Sequence, residues 1–98
     1  MVYNHSISRL AQLDIDKALD YYKSINSELN ASLYENLQKA ISDIKNNPLL
    51  FQKINKTKSY RKININRFPY KLIYRIDKTE IIIVAFAHHK RKPNYWKK

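Results

Sequence analysis

Residues 60–96, YRKININRFPYKLIYRIDKTEIIIVAFAHHKRKPNYW, decide the fold. Successive strand side chains point to opposite faces, and the first part of this stretch alternates with that period. Tyr60 to Asn66 sets Arg61, Ile63 and Ile65 on one face against Tyr60, Lys62, Asn64 and Asn66 on the other. Asn66 to Pro69 makes a connection. Tyr70 to Ile76 then sets Tyr70, Leu72, Tyr74 and Ile76 against Lys71, Ile73 and Arg75. Asp77-Lys78-Thr79 is a tight turn, and Ile81 to Ala87 is an apolar run that suits a central strand covered on both faces. The stretch predicts a basic three-stranded antiparallel meander with a charged, aromatic-tipped end from His88 to Trp96.

The residues before it predict what packs against the meander. Val2 to Ile7 alternates as a short edge-type strand, and Ser8 suits a helix N-cap because its hydroxyl can accept from an orphan N–H of the first turn. From Arg9 to Ile25, Ala11, Ile15, Ala18, Leu19, Tyr22 and Ile25 form one helical stripe. Ser24 to Asn30 reads as the turn of a helical hairpin. The second helix, roughly Ser27 to Asn46, repeats the stripe with Leu29, Leu33, Leu37, Ala40, Ile41 and Ile44. Asn47-Pro48 ends it, since proline disfavours helical geometry in the residue before it. Leu49, Leu50 and Phe51 are expected to tuck against the core. Gln52 to Ser59, with Lys53, Lys56 and Lys58, reads as a mobile basic loop. The order β-α-α-β-β-β defines one α+β domain over residues 1–98, a helical hairpin on one face of a sheet.

Composition narrows the partners. The net charge of +11 is unevenly placed. Up to Phe51, five Lys/Arg stand against six Asp/Glu, a net of −1; from Gln52 onward fourteen stand against two, a net of +12. An excess confined to one half creates a directed field, which favours a nucleic acid or an acidic protein. With no cysteine there is no disulfide framework or thiolate metal site, and a reducing cytoplasm is compatible. No signal-peptide pattern opens the chain, and Ile81 to Ala87 is too short to span a bilayer. Glycine is absent, so asparagines (Asn26, Asn30, Asn46, Asn47 and Asn55) are expected wherever a left-handed residue is needed.

Several motifs recur together in this order: Ala18-Leu19-Asp20-Tyr21-Tyr22, Asn47-Pro48, Arg67-Phe68-Pro69-Tyr70, Tyr74-Arg75-Ile76 and His88-x-x-Arg91-x-Pro93-x-Tyr95-Trp96. In these the chain resembles the RelE/ParE superfamily of toxins from type II toxin–antitoxin systems, over essentially its whole length. The resemblance implies a cognate acidic antitoxin as partner, with a possible heterotetramer, and one of two activities. RelE-like members cleave mRNA inside the ribosome; ParE-like members inhibit DNA gyrase without catalysis. A basic binding module or an inactive toxin is the third reading, and neither a cofactor, a metal nor a membrane is expected.

RNA cleavage of the RelE type needs a group to take the proton of the attacking 2′-OH, one to neutralise the phosphorane charge and one to protonate the leaving 5′ oxygen. The resemblance gives the catalytic roles to Lys62, Lys71, Arg91 and Tyr95. Lys62 and Lys71 are the candidate proton acceptor or charge stabiliser, Arg91 a bidentate phosphate holder and Tyr95 a base-stacking ring. Arg61, Arg75, His88, His89, Lys90 and Lys92 are candidate substrate contacts. Two departures thin the constellation: Asn64 stands where RelE-like toxins have a second lysine, and Lys71 where they have an arginine. Arg75 has the alternative of pairing with a helix carboxylate, Asp16 or Asp20. Tyr70 and Tyr74 read as core residues and Trp96 as an anchor for the tail. His88 and His89 cannot both line one site if the strand continues through them.

Overall fold

The computed structural model describes residues 2–54 and 59–90. Its elements are β1 (Asn4–Ile7), α1 (Arg9–Ile25), α2 (Ser27–Asn46), β2 (Gln52–Lys53), β3 (Tyr60–Asn64), β4 (Tyr70–Asp77) and β5 (Glu80–His88). One five-stranded sheet has the order β1-β5-β4-β3-β2. β3, β4 and β5 form the expected antiparallel meander, and β1 lies parallel to β5 at one edge. The opposite edge differs from expectation: Gln52 and Lys53 pair with Lys62 and Arg61 as a two-residue strand, where the sequence reads as loop. A polar strand this short leaves no periodicity to detect.

Both helices cover one face. Ala11, Ile15 and Ala18 of α1 and Leu33, Leu37, Ala40, Ile41 and Ile44 of α2 join Leu72, Tyr74, Ile81, Ile83 and Phe86 in a single buried cluster. Burial of the Leu, Ile and Phe side chains among them contributes roughly 1.5–3 kcal/mol each. Ser8 caps α1 as its type predicts: its hydroxyl accepts from the Ala11 N–H at 3.2 Å and donates to the Val84 carbonyl at 3.1 Å. One residue, Asn26, separates the helices. It is extended (φ −166°), its N–H bonds the Tyr22 carbonyl, and its side chain accepts from the Glu28 N–H at 2.7 Å.

That geometry corrects the expected role of the asparagines. Among the described residues the positive φ values belong to Arg67 (72°) and Lys78 (57°), in the two turns flanking β4. Asn26 and Asn47 cap helix ends in extended or neighbouring conformations instead. The Asn26 amide supplies a hydrogen-bond acceptor at a helix boundary, and Asn47 bonds there through its backbone, its N–H donating to the Asp43 carbonyl. Asn55 lies outside the described residues. The left-handed cost at Arg67 and Lys78, on the order of 1–2 kcal/mol each, is held by turns whose other residues are fixed. Phe68 is buried, and the Asn36 side-chain amide donates to the Asn66 carbonyl at 3.1 Å.

The Leu49-Leu50-Phe51 segment also departs from expectation. Phe51 is half-buried against the core, but Leu49 and Leu50 are 66% and 73% exposed. The chain is held there by polar contacts. Tyr74, fully buried in β4, donates its hydroxyl to the Pro48 carbonyl at 2.6 Å. Burial drives the Tyr74 phenol from its ordinary 10.0 up to about 12, opposed by the nearby Arg61 charge.

Replacing Tyr74 with phenylalanine leaves the Pro48 carbonyl buried without its donor, so unfolding in urea should need about 1–3 kcal/mol less. A second signature concerns alkali. The unfolded phenol ionises near 10 and the folded one near 12, so wild-type stability falls as pH rises through that window. Tyr74→Phe should show a shallower decline between pH 10 and 12 than wild type; parallel curves would mean that Tyr74 does not contribute to alkaline unfolding.

Candidate functional site

The sheet has a second face, turned away from both helices, and its residues follow from the register. On β3 it carries Tyr60, Lys62 and Asn64, and on β4 it carries Lys71, Ile73 and Arg75. Lys62 sits opposite Ile73, which makes Lys71 and Arg75 its two diagonal neighbours. Diagonal positions lie about 7–8 Å apart, within reach of each other for long side chains. Lys62, Lys71 and Arg75 therefore form a triangle of cations around Ile73. All three are half-buried, with their aliphatic stems along the sheet and their charges free to lift.

β5 completes this face through a bulge. Ile73 pairs with Ala85 but Tyr74 pairs with Ile83, so Val84 is an extra residue. Ile81 and Ile83 point toward the helices before it, and Phe86 and His88 do so after it. Ala85 and Ala87 thereby join Ile73 and Lys71 on the helix-free face. The acidic residues of this region, Asp77 and Glu80, stand opposite each other at the hairpin end, next to Arg75 in the register. Among the described residues the ion pair within 4.0 Å is Lys39–Asp43 on α2, remote from the triangle.

The expected site residues divide accordingly. Lys62, Lys71 and Arg75 share one face. The alternative role for Arg75 fails on geometry, since Asp16 and Asp20 belong to a helix on the other side of the sheet. Arg61 points to the helix side, where its guanidinium donates to the Leu49 carbonyl at 3.1 Å and the Phe51 carbonyl at 2.7 Å. It clips the segment after α2 and is not brought to the triangle. His88 is likewise on the helix side, edge-on to the Tyr70 ring at 5.2 Å. His89 and Lys90 are exposed in the turn after β5, with the His89 N–H bonded to the Pro69 carbonyl and the Lys90 N–H to His88 Nδ1. Arg91, Lys92 and Tyr95 lie outside the described residues.

A separate hollow opens between α1 and the ends of β4 and β5, lined by Asp14, Lys17, Tyr21, Tyr70, Phe86 and His88. Tyr70 stacks on Phe86 with ring centres 4.6 Å apart and meets Tyr22 edge-on at 6.4 Å. Burial, then the neighbouring Tyr22 hydroxyl, pushes the Tyr70 phenol above its ordinary value. This aromatic ladder was not singled out from the sequence; the spacing Tyr21, Tyr22, Phe68, Tyr70, Phe86 shows no period and is assembled by the fold. No three His, Cys, Asp or Glu side chains gather for a metal among the described residues, and no helix there is long and apolar enough to cross a membrane.

A helical hairpin thus covers one face of a small mixed sheet, and Lys62, Lys71 and Arg75 stand on the other. The family model "ParE toxin of type II toxin-antitoxin system, parDE" matches residues 6–93, and the chain belongs to that family. Among solved structures, it is similar to a chain of the chromosomal ParDE system from P. aeruginosa (16% identity, 89% of this chain and 96% of that one, TM-score 0.76). It is similar also to the YoeB dimer from Staphylococcus aureus (19% identity, 91% and 99%, TM-score 0.63). A third likeness is to a mutant of the E. coli toxin RelE in the free state (16% identity, 92% and 86%, TM-score 0.61). No curated relative matches the chain. At such identities these likenesses establish the fold.

The neighbours Arg61 and Lys62 test the division of the sheet. Arg61→Ala removes the donor to two carbonyls and should lower the midpoint of urea unfolding by an amount equivalent to about 1 kcal/mol. Lys62→Ala, on the bare face, should stay within about 0.5 kcal/mol of wild type. Equal losses in the two variants would contradict the assigned faces.

Proposed function

We propose that this toxin acts through the Lys62–Lys71–Arg75 face, which takes an RNA phosphodiester on the ribosome as its target. The observation that carries the reading is the triangle itself: three cations held on diagonal positions, with the carboxylates of this face, Asp77 and Glu80, at the hairpin end beyond Arg75 and away from Lys62 and Lys71. Two of them can flank one phosphate from different strands, so the charge of a pentacoordinate phosphorane is met by fixed groups. Cleavage then runs by attack of the 2′ oxygen on phosphorus as its proton passes to one lysine in its neutral amine form, while the other lysine and Arg75 stay cationic against the phosphorane. The bond to the 5′ oxygen breaks and that oxygen takes a proton from water or from the cationic lysine, leaving a 2′,3′-cyclic phosphate and a 5′-hydroxyl. Asn64, opposite Lys71, offers a neutral donor and acceptor where a second lysine base would otherwise stand. Arg91 and Tyr95 are assigned the phosphate-holding and base-stacking roles.

The same face suits an antitoxin with an acidic segment, which would cover the cations and silence them in a heterotetrameric complex. A cytoplasmic site of action follows from a ribosomal target. A second reading has its own support: the ParE description of the family and the higher TM-score to the ParDE structure favour a non-catalytic inhibitor of DNA gyrase. There the triangle would bind an acidic surface of gyrase and no bond would break.

Inducing the chain alone in a bacterium, while scoring growth, message integrity and plasmid supercoiling together, separates the two. RNA cleavage predicts growth arrest with cut messages and unchanged supercoiling, and a loss of cleavage rate of about 100-fold in Lys62→Ala or Lys71→Ala. Intact messages with altered supercoiling would sink the nuclease reading in favour of the second. Undiminished arrest by both lysine variants would remove this face from the function altogether.

A further inference from the structure

A second hollow lies at the β3 edge of the sheet, between α2 and the end of that strand, with a volume of about 210 Å³. Its floor is apolar, made by buried Ala40 and half-buried Ile63. Its walls are polar: Asn36, Lys39 and Asp43 on the α2 side, Asn64 and Asn66 on the β3 side. Asn36 donates its amide to the Asn66 carbonyl at 3.1 Å, which orients the group and leaves its Oδ1 to accept. Lys39 and Asp43 are paired at 3.8 Å, so their wall carries no net charge. The backbone adds one more acceptor and donor. Strand residues send their N–H and C=O groups to alternate sides. The Tyr60 carbonyl accepts from Ile54 on the β2 side, whereas Ile65 donates to Tyr70 on the β4 side. Asn64 therefore turns its N–H and C=O toward β2, whose pairing stops at Lys62, and among the described residues nothing meets them.

We infer that this hollow takes a base of the target RNA that bears an exocyclic amine, adenine or cytosine, and so biases where the strand is cut; the inference rests on the RNA-cleaving reading proposed above. Asn64 links the two places. It stands directly opposite Lys71, a separation of about 5 Å across the strands, and two residues from Lys62 on the same face. A nucleotide adjoining a phosphate held by those lysines can turn its base over the edge of β3 and into the hollow. The lining suits such a base. Ala40 and Ile63 offer a flat apolar floor to the ring. Asn36 Oδ1, the Asp43 carboxylate and the Asn64 carbonyl accept from an amine. An asparagine N–H can meet the ring nitrogen beside that amine, the two-point contact by which asparagine reads adenine. Unstacked bases of single-stranded RNA are read along these edges. Uracil carries a carbonyl where adenine and cytosine carry the amine, so it would set oxygen against oxygen.

Two other occupants fit less well. A phosphate in the hollow would lie against Asp43, with only the already paired Lys39 to offset it. An added peptide strand needs a run of free backbone groups, and this edge offers one residue between the β2 pairing and the turn that begins at Asn66.

The test titrates the 15N-labelled chain with AMP, CMP, UMP and inorganic phosphate, following the side-chain amide signals of the asparagines. AMP and CMP should shift those of Asn36 and Asn64 several-fold more than UMP at equal concentration. Phosphate alone should move the backbone signals of Lys62 and Lys71 and leave the two side-chain amides in place. Asp43→Asn keeps the shape of the wall but adds a donor, and the exposed pair it breaks holds little of the fold's stability. In that variant the UMP response should rise to match that of AMP. Equal shifts for all three nucleotides, no shift at these amides, or an unchanged order in Asp43→Asn would overturn the base site. Mapping cut sites in induced cells separates this inference from the reading beneath it. Cut messages with silent amides remove the base site alone. Responsive amides with intact messages leave the base site standing and remove the nuclease reading.

Discussion

One inserted residue governs what each face of this sheet can do. Val84 has no partner in β4, and the phase of β5 reverses across it. Before the bulge, Ile81 and Ile83 fill the core; after it, Phe86 does so with half-buried His88 on the same side, and the alanines turn outward. A regular strand would have sent Phe86 and His88 to the bare face and Ala85 and Ala87 under the helices. The core would then lose its largest β5 side chain where Tyr70 now stacks on it. The bulge carbonyl is not left idle: Ser8 donates to it while capping α1, so one hydroxyl fixes both the strand irregularity and the helix start. Helix placement and site composition are thus coupled through a single side chain.

Alternation along β3 has a similar consequence for charge. Arg61, on the helix side, spends its guanidinium on two carbonyls beyond α2, next to the Tyr74 hydroxyl that binds a third. Lys62, one residue on, faces the other way. Adjacent cations of like appearance therefore serve unlike ends, one holding the end of the helical hairpin to the sheet and the other adding to the exposed field. The half of the chain with a net of +12 is accordingly not a uniform basic surface.

Much of the fold was legible because periodicity and capping leave marks in sequence. The α2 stripe, the Asn47-Pro48 stop and the Ser8 cap each state a local geometry, and the helix bounds follow from them. The two strands with polar residues on one face, β3 and β4, show their phase openly, so each strand's faces were legible, but that Lys62 shares a face with Lys71 and Arg75 depends on the register between the strands. β5 hides its phase. A run of Ile, Val, Ala and Phe reads the same whichever way it is turned, so neither the bulge nor the side taken by His88 was visible. The aromatic ladder was hidden for another reason, since Tyr22, Tyr70 and Phe86 come from three elements and only tertiary packing stacks them. Asparagine misled in the turns: in a chain without glycine it was expected to take positive φ, but helix boundaries claimed it and Arg67 and Lys78 carry the strain.

The departures from the RelE pattern acquire a physical meaning once the triangle is drawn. A planar guanidinium grips phosphate bidentately and fixes its orientation, whereas an ammonium is a compact charge that attracts without aligning. With Lys62 and Lys71 as the near cations, the described face supplies attraction from two sides and leaves alignment to Arg75 on a diagonal. Arg75 stands opposite Tyr60 and Ile82, toward the hairpin end, so its fork approaches a bound chain from the side away from β5's exit. An extended anion lying across the strands would then meet a fork at one end and point charges at the other.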